Sequence, residues 1–490
     1  MNGYGKSDRS IVSRKSPNKV TSVAAEEMEK RDLAKGNLRR QNAFRTQGRA
    51  DVQSALKRIR LAARRDKKGQ LTALYHHVSN PAFLREAFYA IRRKAASGID
   101  GVTWDAYHED LEANLQDLSE RLKRGAYRAT AVKRVYIPKA SGGQRPLGVT
   151  ALEDKIVQRS TVAVLSAIYE TDFLGFSYGF RPGRSQHQCS GALCLGIFKR
   201  KVGWVLDADI RGFFDAIDHE WMIRFLEHRI GDKRVIRLVQ KWLNAGVLED
   251  GKVYRPEAGT PQGGSVSPFL ANVYLHYVFD LWIQAWRRSK AKGDVVVVRW
   301  ADDFIVGLQS EWEARKFLAE LKERFKKFGL TLHPDKTRLI EFGRFAASSR
   351  KWRGQGKPET FDFLGFTHIC GKTRKGAFMV LRKTMKKRQR DKLRELKFEL
   401  RRRLHDRVPD VGKWLKQVVR GYFQYHGIPM NFRSLESFRH QVVRLWCRSL
   451  RRRSQKHRCS WQRVTRLAEK YIPQPKVVHP YPTQQFGVIT

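Results

Sequence analysis

The chain has 490 residues, with 97 Lys and Arg against 48 Asp and Glu, a net charge of +49. A surface that basic repels itself unless a polyanion covers it, so nucleic acid is the expected partner and binding should weaken steeply with salt. An acidic membrane would suit the same charge, but no apolar run approaches the roughly 20 residues that span a bilayer, and the expectation is no membrane. The five cysteines include no C-x-x-C pair, which disfavours a zinc site or disulfide framework and fits a reducing compartment.

Residues 1–70 hold 19 basic against 7 acidic residues, which marks a basic N-terminal arm, polar and partly disordered at its start. From Ser54 the spacing of Ala55, Ile59 and Ala62 or Ala63 predicts a helix. Residues 76–200 mix helices with short strands. Val132–Pro138 is β-rich, and Ser141-Gly142-Gly143 marks a hairpin turn before Arg145. Lys139 and Arg145 flank that turn; they either clamp a triphosphate between them or are plain surface cations.

Residues 201–370 alternate strand and helix, as an α+β core does. In Val205–His219, VLDADIRGFFDAIDH, a strand would turn Leu206, Ala208 and Ile210 to one side and Asp207 and Asp209 to the other. Asp215 and Asp218 read as ordinary polar residues of the next helix. In Gly259–Asn272, GTPQGGSVSPFLAN, glycines beside Pro261 and Gln262 let a backbone approach a ligand, and Ser267 is placed to cap a helix begun by Pro268. In Asp294–Leu308, two β-rich runs flank Ala301-Asp302-Asp303, which predicts a hairpin with two carboxylates at its tip. Adjacent carboxylates repel and serve no packing purpose; a hard cation such as Mg²⁺ relieves them. Two such strands side by side would bring Asp209 against Asp302, a geometry suited to two metals that activate a 3′-hydroxyl and steady pyrophosphate.

Residues 380–470 are helical and carry 28 basic against 7 acidic residues, an excess that points to a nucleic-acid surface. Leu393, Leu396, Leu400 and Leu404 form its first apolar stripe.

Taken together, these segments resemble the group II intron-encoded reverse transcriptases, the bacterial maturases, from about Lys57 to the C-terminus. The resemblance is carried by SGIDGVT at Ser97–Thr103, FSYGFRPGRS at Phe176–Ser185, the PQGGSVSP loop, LHPDKT at Leu332–Thr337 and FLGF at Phe363–Phe366. WLKQVVRGYFQYHG at Trp414–Gly427 resembles the family's thumb, or maturase, helix, in which Tyr422, Phe423 and Tyr425 either stack on RNA or fill the core. Trp300 stands where the family usually has Tyr.

The resemblance implies a right-hand polymerase of α+β class. Its expected divisions are a basic N-terminal arm and extension (1–75), fingers and palm (76–370), a helical maturase or thumb domain (371–440) and a basic nucleic-acid-binding region (441–490). It implies that Asp209, Asp302 and Asp303 hold two Mg²⁺ ions with the backbone carbonyl of Ile210. Lys139, Arg145 and Lys336 would meet the phosphates, Phe214 would exclude a 2′-hydroxyl and Gln262 would lie near the nascent base pair. Arg181 and Arg184 would meet the template, or be surface cations, and Arg451, Arg452 and Arg453 would bind intron RNA.

The implied activity is copying of RNA into DNA, with RNA template, DNA primer, dNTPs, intron RNA and target DNA as partners, in a bacterial cytoplasm near the nucleoid. No endonuclease domain like that of some relatives is expected. Two other readings stay open: a splicing cofactor with vestigial polymerisation, and a reverse transcriptase of this lineage used in repair or defence without an intron.

Overall fold

The computed structural model describes residues 38–138, 144–249, 252–254, 258–260, 263–453 and 460–486. Lys139, Gln262 and the first part of the basic arm lie outside the described residues. The labelled elements begin with helices α1 (Leu38–Arg65), α2 (Pro81–Tyr89) and α3 (Leu111–Lys123), strands β1 (Val132–Pro138) and β2 (Gln144–Val149), and helix α4 (Leu152–Tyr169). The spacing of Val52, Ala55, Ile59 and Ala63 gives α1 one apolar stripe, which packs on α4 and is buried there. From residue 48 on, the N-terminal extension is thus part of the main core. Its end is tied down by buried Arg229, which donates to the carbonyls of Ala63, Asp66 and Gly69 and pairs with Asp172.

After helix α5 (Gln186–Lys199) come β3 (Trp204–Ala208), α6 (His219–Glu227), α7 (Lys233–Leu243), β4 (Val247–Glu249), β5 (Lys252–Tyr254), α8 (Ser267–Leu275) and α9 (Leu281–Ser289). The fingers sheet has the order β2-β1-β4-β5, with β1 and β4 parallel and the other pairs antiparallel. Helix α8 begins one residue earlier than the sequence predicts: Ser267 is its first residue, Val266 is the cap position without a side-chain cap, and Pro268 sits in the first turn. Ser267 is therefore not the cap, a correction to the sequence reading. Asp218 does cap α6, accepting from the Trp221 N–H at 2.8 Å.

The palm adds β6 (Val296–Trp300), β7 (Asp303–Leu308), α10 (Glu311–Lys326) and β8 (Arg338–Glu341). Its sheet is fully antiparallel in the order β6-β7-β3-β8. Strand alternation divides its side chains between two cores. Leu206, Ala208, Val297, Phe304 and Val306 join the large core shared with the fingers. Val205, Val296, Val298 and Ile305 join a second core with Ala192, Leu193 and Ile197 of α5. Both faces of this sheet therefore pack on apolar cores.

A three-stranded antiparallel sheet, β9 (Phe361–Phe363), β10 (Phe366–Lys372) and β11 (Phe378–Thr384), covers part of that second core. Further helices follow, among them α11 (Lys386–Arg402), α12 (Val408–His426), α13 (Phe432–Arg451) and α14 (Trp461–Tyr471). Leu396, Leu400, Leu415, Leu435, Phe438, Trp446 and Val464 close one core among them. Helix α13 runs through the expected division at residues 440 and 441. Tyr422 and Phe423 are buried in this core, while Tyr425 stacks on Phe366 and bonds the Leu364 carbonyl. Among the described residues no helix is long and apolar enough to cross a membrane.

Candidate active site

The acidic residues meet because of register. Strand β3 pairs with β7 from Trp204 opposite Leu308 to Ala208 opposite Phe304. Asp209 follows the last paired residue of β3 and Asp303 begins β7, so the two lie at the same end of the ladder. Asp302 lies at the adjoining turn, and the charge of Asp209 is felt by both Asp302 and Asp303. That turn joins Trp300 to Asp303, which pair with each other, and Ala301 enters the left-handed region at φ 57°. Non-glycine residues rarely adopt that conformation, so surrounding contacts must impose it.

The segment after α10 closes the opposite side. Ile210 bridges Leu332, the His333 N–H donates to the Asp209 carbonyl at 2.8 Å, and the Arg211 N–H donates to the Thr331 carbonyl. This short pairing brings round the turn that carries Lys336, whose Nζ lies 2.5 Å from Asp209 Oδ2. Phe214 is half-buried, its ring edge-on to Phe213. Its carbonyl accepts the Thr260 N–H at 2.7 Å, which ties it to the glycine loop. Gly263 (φ 115°) packs on the fingers: a Cβ there would stand 2.5 Å from the Gly148 carbonyl oxygen. Only glycine permits that approach, which draws the loop against β2, the strand of Arg145. Arg145 itself is exposed and lies close enough to draw down the proton affinity of Asp302.

Burial raises the pKa of Asp302, and the charge of Asp209 adds to it, against Arg145 and Arg299. Asp303 is pushed up to about 7 by desolvation, then by Asp302 and Asp209, against Lys336 and Arg388. The Asp303 side chain still reaches water, which screens part of this effect. Asp207, on the same face, is likewise pushed up to about 7, chiefly by burial. Crowded carboxylates that resist ionisation are a donor set suited to a hard divalent cation. Among the described residues no three acidic, His or Cys side chains already converge as a metal cluster. The ammonium of Lys336 instead neutralises Asp209.

Arg181 does not meet the expectation of a template contact. It is buried, pairs with Glu170, and donates to the carbonyls of Leu174 and Ser177 at 2.7 Å each, so it staples the FSYGFRPGRS segment from within. Arg184 lies over the Tyr178 ring, with a long bond to the Gly175 carbonyl. The three arginines at the C-terminal end of α13, Arg451 and the two that follow it, divide. Arg451 and Arg452 are exposed and line a cavity of about 520 Å³ with Lys397, Arg401 and Arg448. Arg453 turns inward and donates to the Asp406 carbonyl at 2.7 Å, which makes it a poor RNA contact.

Sequence reasoning missed the supports of the acidic hairpin. Arg299 and Asp280 form a fully buried pair beneath it, and Gly179 lies against Ala301, where a Cβ would stand 2.3 Å from the Ala301 nitrogen. Gly179 stood within a quoted motif, but its neighbour is distant in sequence. Arg388 of α11 faces Asp303 electrostatically, bringing the C-terminal helices to the same cleft.

A family model described as "Reverse transcriptase (RNA-dependent DNA polymerase)" matches residues 137–368, a span that contains Arg145, Asp209, Phe214, Asp302, Asp303 and Lys336. Protein YkfC of Escherichia coli (strain K12) is 32% identical over 311 residues, covering 56% of this chain and 81% of the relative. Group II intron-encoded protein LtrA of Lactococcus lactis subsp. cremoris is 35% identical over 209 residues, covering 42% of this chain and 34% of the relative. The chain belongs to the reverse transcriptase family. Nuclear intron maturase 2, mitochondrial, of Arabidopsis thaliana is 26% identical over 239 residues, 40% of this chain and 30% of the relative. This reverse transcriptase thus spans about a third of the length of these two intron relatives. The α+β fold with antiparallel sheets agrees with a polymerase palm. Reverse transcriptase domains use divalent metal ions, and the partners of such a chain are nucleic acids.

Proposed function

We propose that this reverse transcriptase is an RNA-directed DNA polymerase that also binds intron RNA as a maturase. The observation that supports the reading is the gathering of Asp209, Asp302 and Asp303 at one end of the palm sheet. The primer 3′-oxygen would attack the α-phosphorus of a dNTP. One P–O bond forms, the α–β bond breaks and pyrophosphate leaves.

Asp209, Asp302 and Asp303, with the Ile210 carbonyl, would hold two Mg²⁺ ions, which supply Lewis acidity toward the attacking hydroxyl and the triphosphate. Arg145 and Lys139 would hold the triphosphate, and Gln262 would line the nascent base pair. Phe214, fixed through its carbonyl to the glycine loop, would leave no room for a 2′-hydroxyl. Lys336, which pairs with Asp209, would be placed to give a proton to departing pyrophosphate. The exposed cations of α11 and α13 supply phosphate contacts for structured RNA. Intron RNA, a primed RNA template and target DNA are the proposed partners, with a bacterial nucleoid as the place of action.

The test is extension of a labelled primer on an RNA template by purified protein, with and without the RNA that flanks its gene. Extension with dNTPs that disappears in Asp302→Asn supports the reading. A folded wild-type protein that extends no primer on RNA, at any divalent cation concentration, refutes it.

A further inference from the structure

The hairpin tip carries an electrostatic load. Asp302 and Asp303 are adjacent, Asp209 lies at the same end of the ladder, and Ala301 adopts a left-handed conformation. Left to itself, such a turn would splay its carboxylates apart. We propose that Arg299 is the positioning residue of this active site, holding the peptide that leads into Asp302 at the angle the carboxylates need. The proposal rests on the polymerase reading and assigns a role to a residue that touches neither substrate nor metal.

The geometry is specific. Arg299 and Asp280 are both 0% exposed. Arg299 Nε and one terminal nitrogen grip the two carboxylate oxygens of Asp280 at 2.8 and 2.6 Å. That nitrogen also donates to Ser177 Oγ at 2.7 Å. The other terminal nitrogen donates to Asn272 Oδ1 at 3.0 Å and to the Ala301 carbonyl at 2.9 Å. All five guanidinium N–H groups are therefore used, on four acceptor residues from three segments. A buried ion pair is by itself weak support for stability, because desolvation offsets most of the attraction. What an apolar pair could not supply is a donor aimed at the carbonyl of Ala301, the oxygen that sets the peptide plane entering Asp302.

The other side of Ala301 is fixed as well. Its nitrogen lies against Gly179, whose carbonyl accepts from Asn272 Nδ2 at 2.7 Å. Asn272 thus touches both restraints, and it sits on α8, the helix that follows the glycine loop. Asp280 ends a π-helical turn, His276–Asp280, between α8 and α9. Such turns commonly mark functional positions in helices. The parallel bridge of Ser177 to Arg299 locks the remaining side, with the Arg299 N–H donating to the Phe176 carbonyl.

The experiment uses the full chain with Arg299→Lys, Asn272→Ala and Ser177→Ala. Lysine keeps a charge for Asp280 but lacks the planar fork that reaches Ala301 as well. Mn²⁺ binding is followed by electron paramagnetic resonance without nucleic acid, beside thermal melting and steady-state extension. Arg299→Lys should weaken Mn²⁺ binding about tenfold and lower kcat on the order of 100-fold, the usual cost of misplacing a catalytic group by about 1 Å. KM for dNTP should stay within about threefold. Asn272→Ala and Ser177→Ala should show smaller losses of the same kind.

Folded Arg299→Lys with wild-type Mn²⁺ binding and kcat would overturn the proposal. If that variant does not fold, folded Asn272→Ala with both values unchanged overturns it, and a loss in both supports it. A wild-type protein that binds Mn²⁺ but extends no primer would refute the polymerase reading while leaving the clamp testable by Mn²⁺ binding.

Discussion

Replacing Gly179 with alanine would place a Cβ 2.3 Å from the Ala301 nitrogen and 3.0 Å from the Trp300 carbonyl carbon, where ordinary contact begins at 3.4 Å. Both obstacles are backbone and cannot rotate away as a side-chain end would. Gly179 cannot easily withdraw, since Asn272 holds its carbonyl and the preceding Tyr178 N–H donates to the Arg299 carbonyl at 2.9 Å. Residue 179 is not among the glycines with positive φ, so alanine meets no conformational obstacle there and the effect is one of contact.

Relief needs a shift of about 1 Å at the turn bearing Asp302 and Asp303, which should lower kcat on the order of 100-fold. Overpacking of this kind costs about 1–3 kcal/mol, so the protein should still fold. Single-turnover primer extension on RNA, with circular dichroism melting as the folding control, reads both effects. A folded Gly179→Ala protein with kcat within about threefold of wild type would show that the hairpin tolerates displacement, and the positional argument would fail.

Asp302→Asn should abolish extension by about a thousandfold or more without lowering the melting temperature in EDTA, because the lost charge belonged to a repelling set. With its folded-state pKa raised to about 7 from 3.8, Asp303 favours folding fully below the ordinary value, and that contribution is lost as pH climbs through about 7. Melting in EDTA should therefore show Asp303→Asn gaining on wild type between about pH 4 and 7, and Mn²⁺ affinity of the wild type should fall up to tenfold per pH unit below 7. Phe214→Ala should raise ribonucleotide over deoxyribonucleotide incorporation in steady-state kinetics; an unchanged ratio moves the gate elsewhere. Neutralising Arg451 and Arg452 should flatten the salt dependence of intron RNA binding by about two phosphate contacts in filter titrations. Arg453→Ala should instead lower the melting temperature, because it breaks the tie to Asp406.

Local order carried much of this molecule. The alternation in Val205–Asp209 and in Val296–Leu308 is a strand property set by neighbours along the chain, so the two carboxylate strands and the hairpin were legible. The basic excess was legible for the same reason, as was the apolar stripe of α11. Boundaries at turns were less so: Ser267 is a natural cap residue, yet the helix starts on it.

Interactions between distant segments were decided only by the tertiary structure. Which carboxylates gather at the end of the palm sheet depends on strand register, and register belongs to the sheet as a whole. A cation is exposed or buried according to what packs on it. Arg181 and Arg453 read as nucleic-acid contacts in a basic chain, but each has carbonyls within reach and turns inward. Nothing in the spacing around Arg299 singles it out in the sequence. Its role depends on Asp280, Asn272 and Ser177, residues 19, 27 and 122 positions away, that only the folded chain brings to one guanidinium.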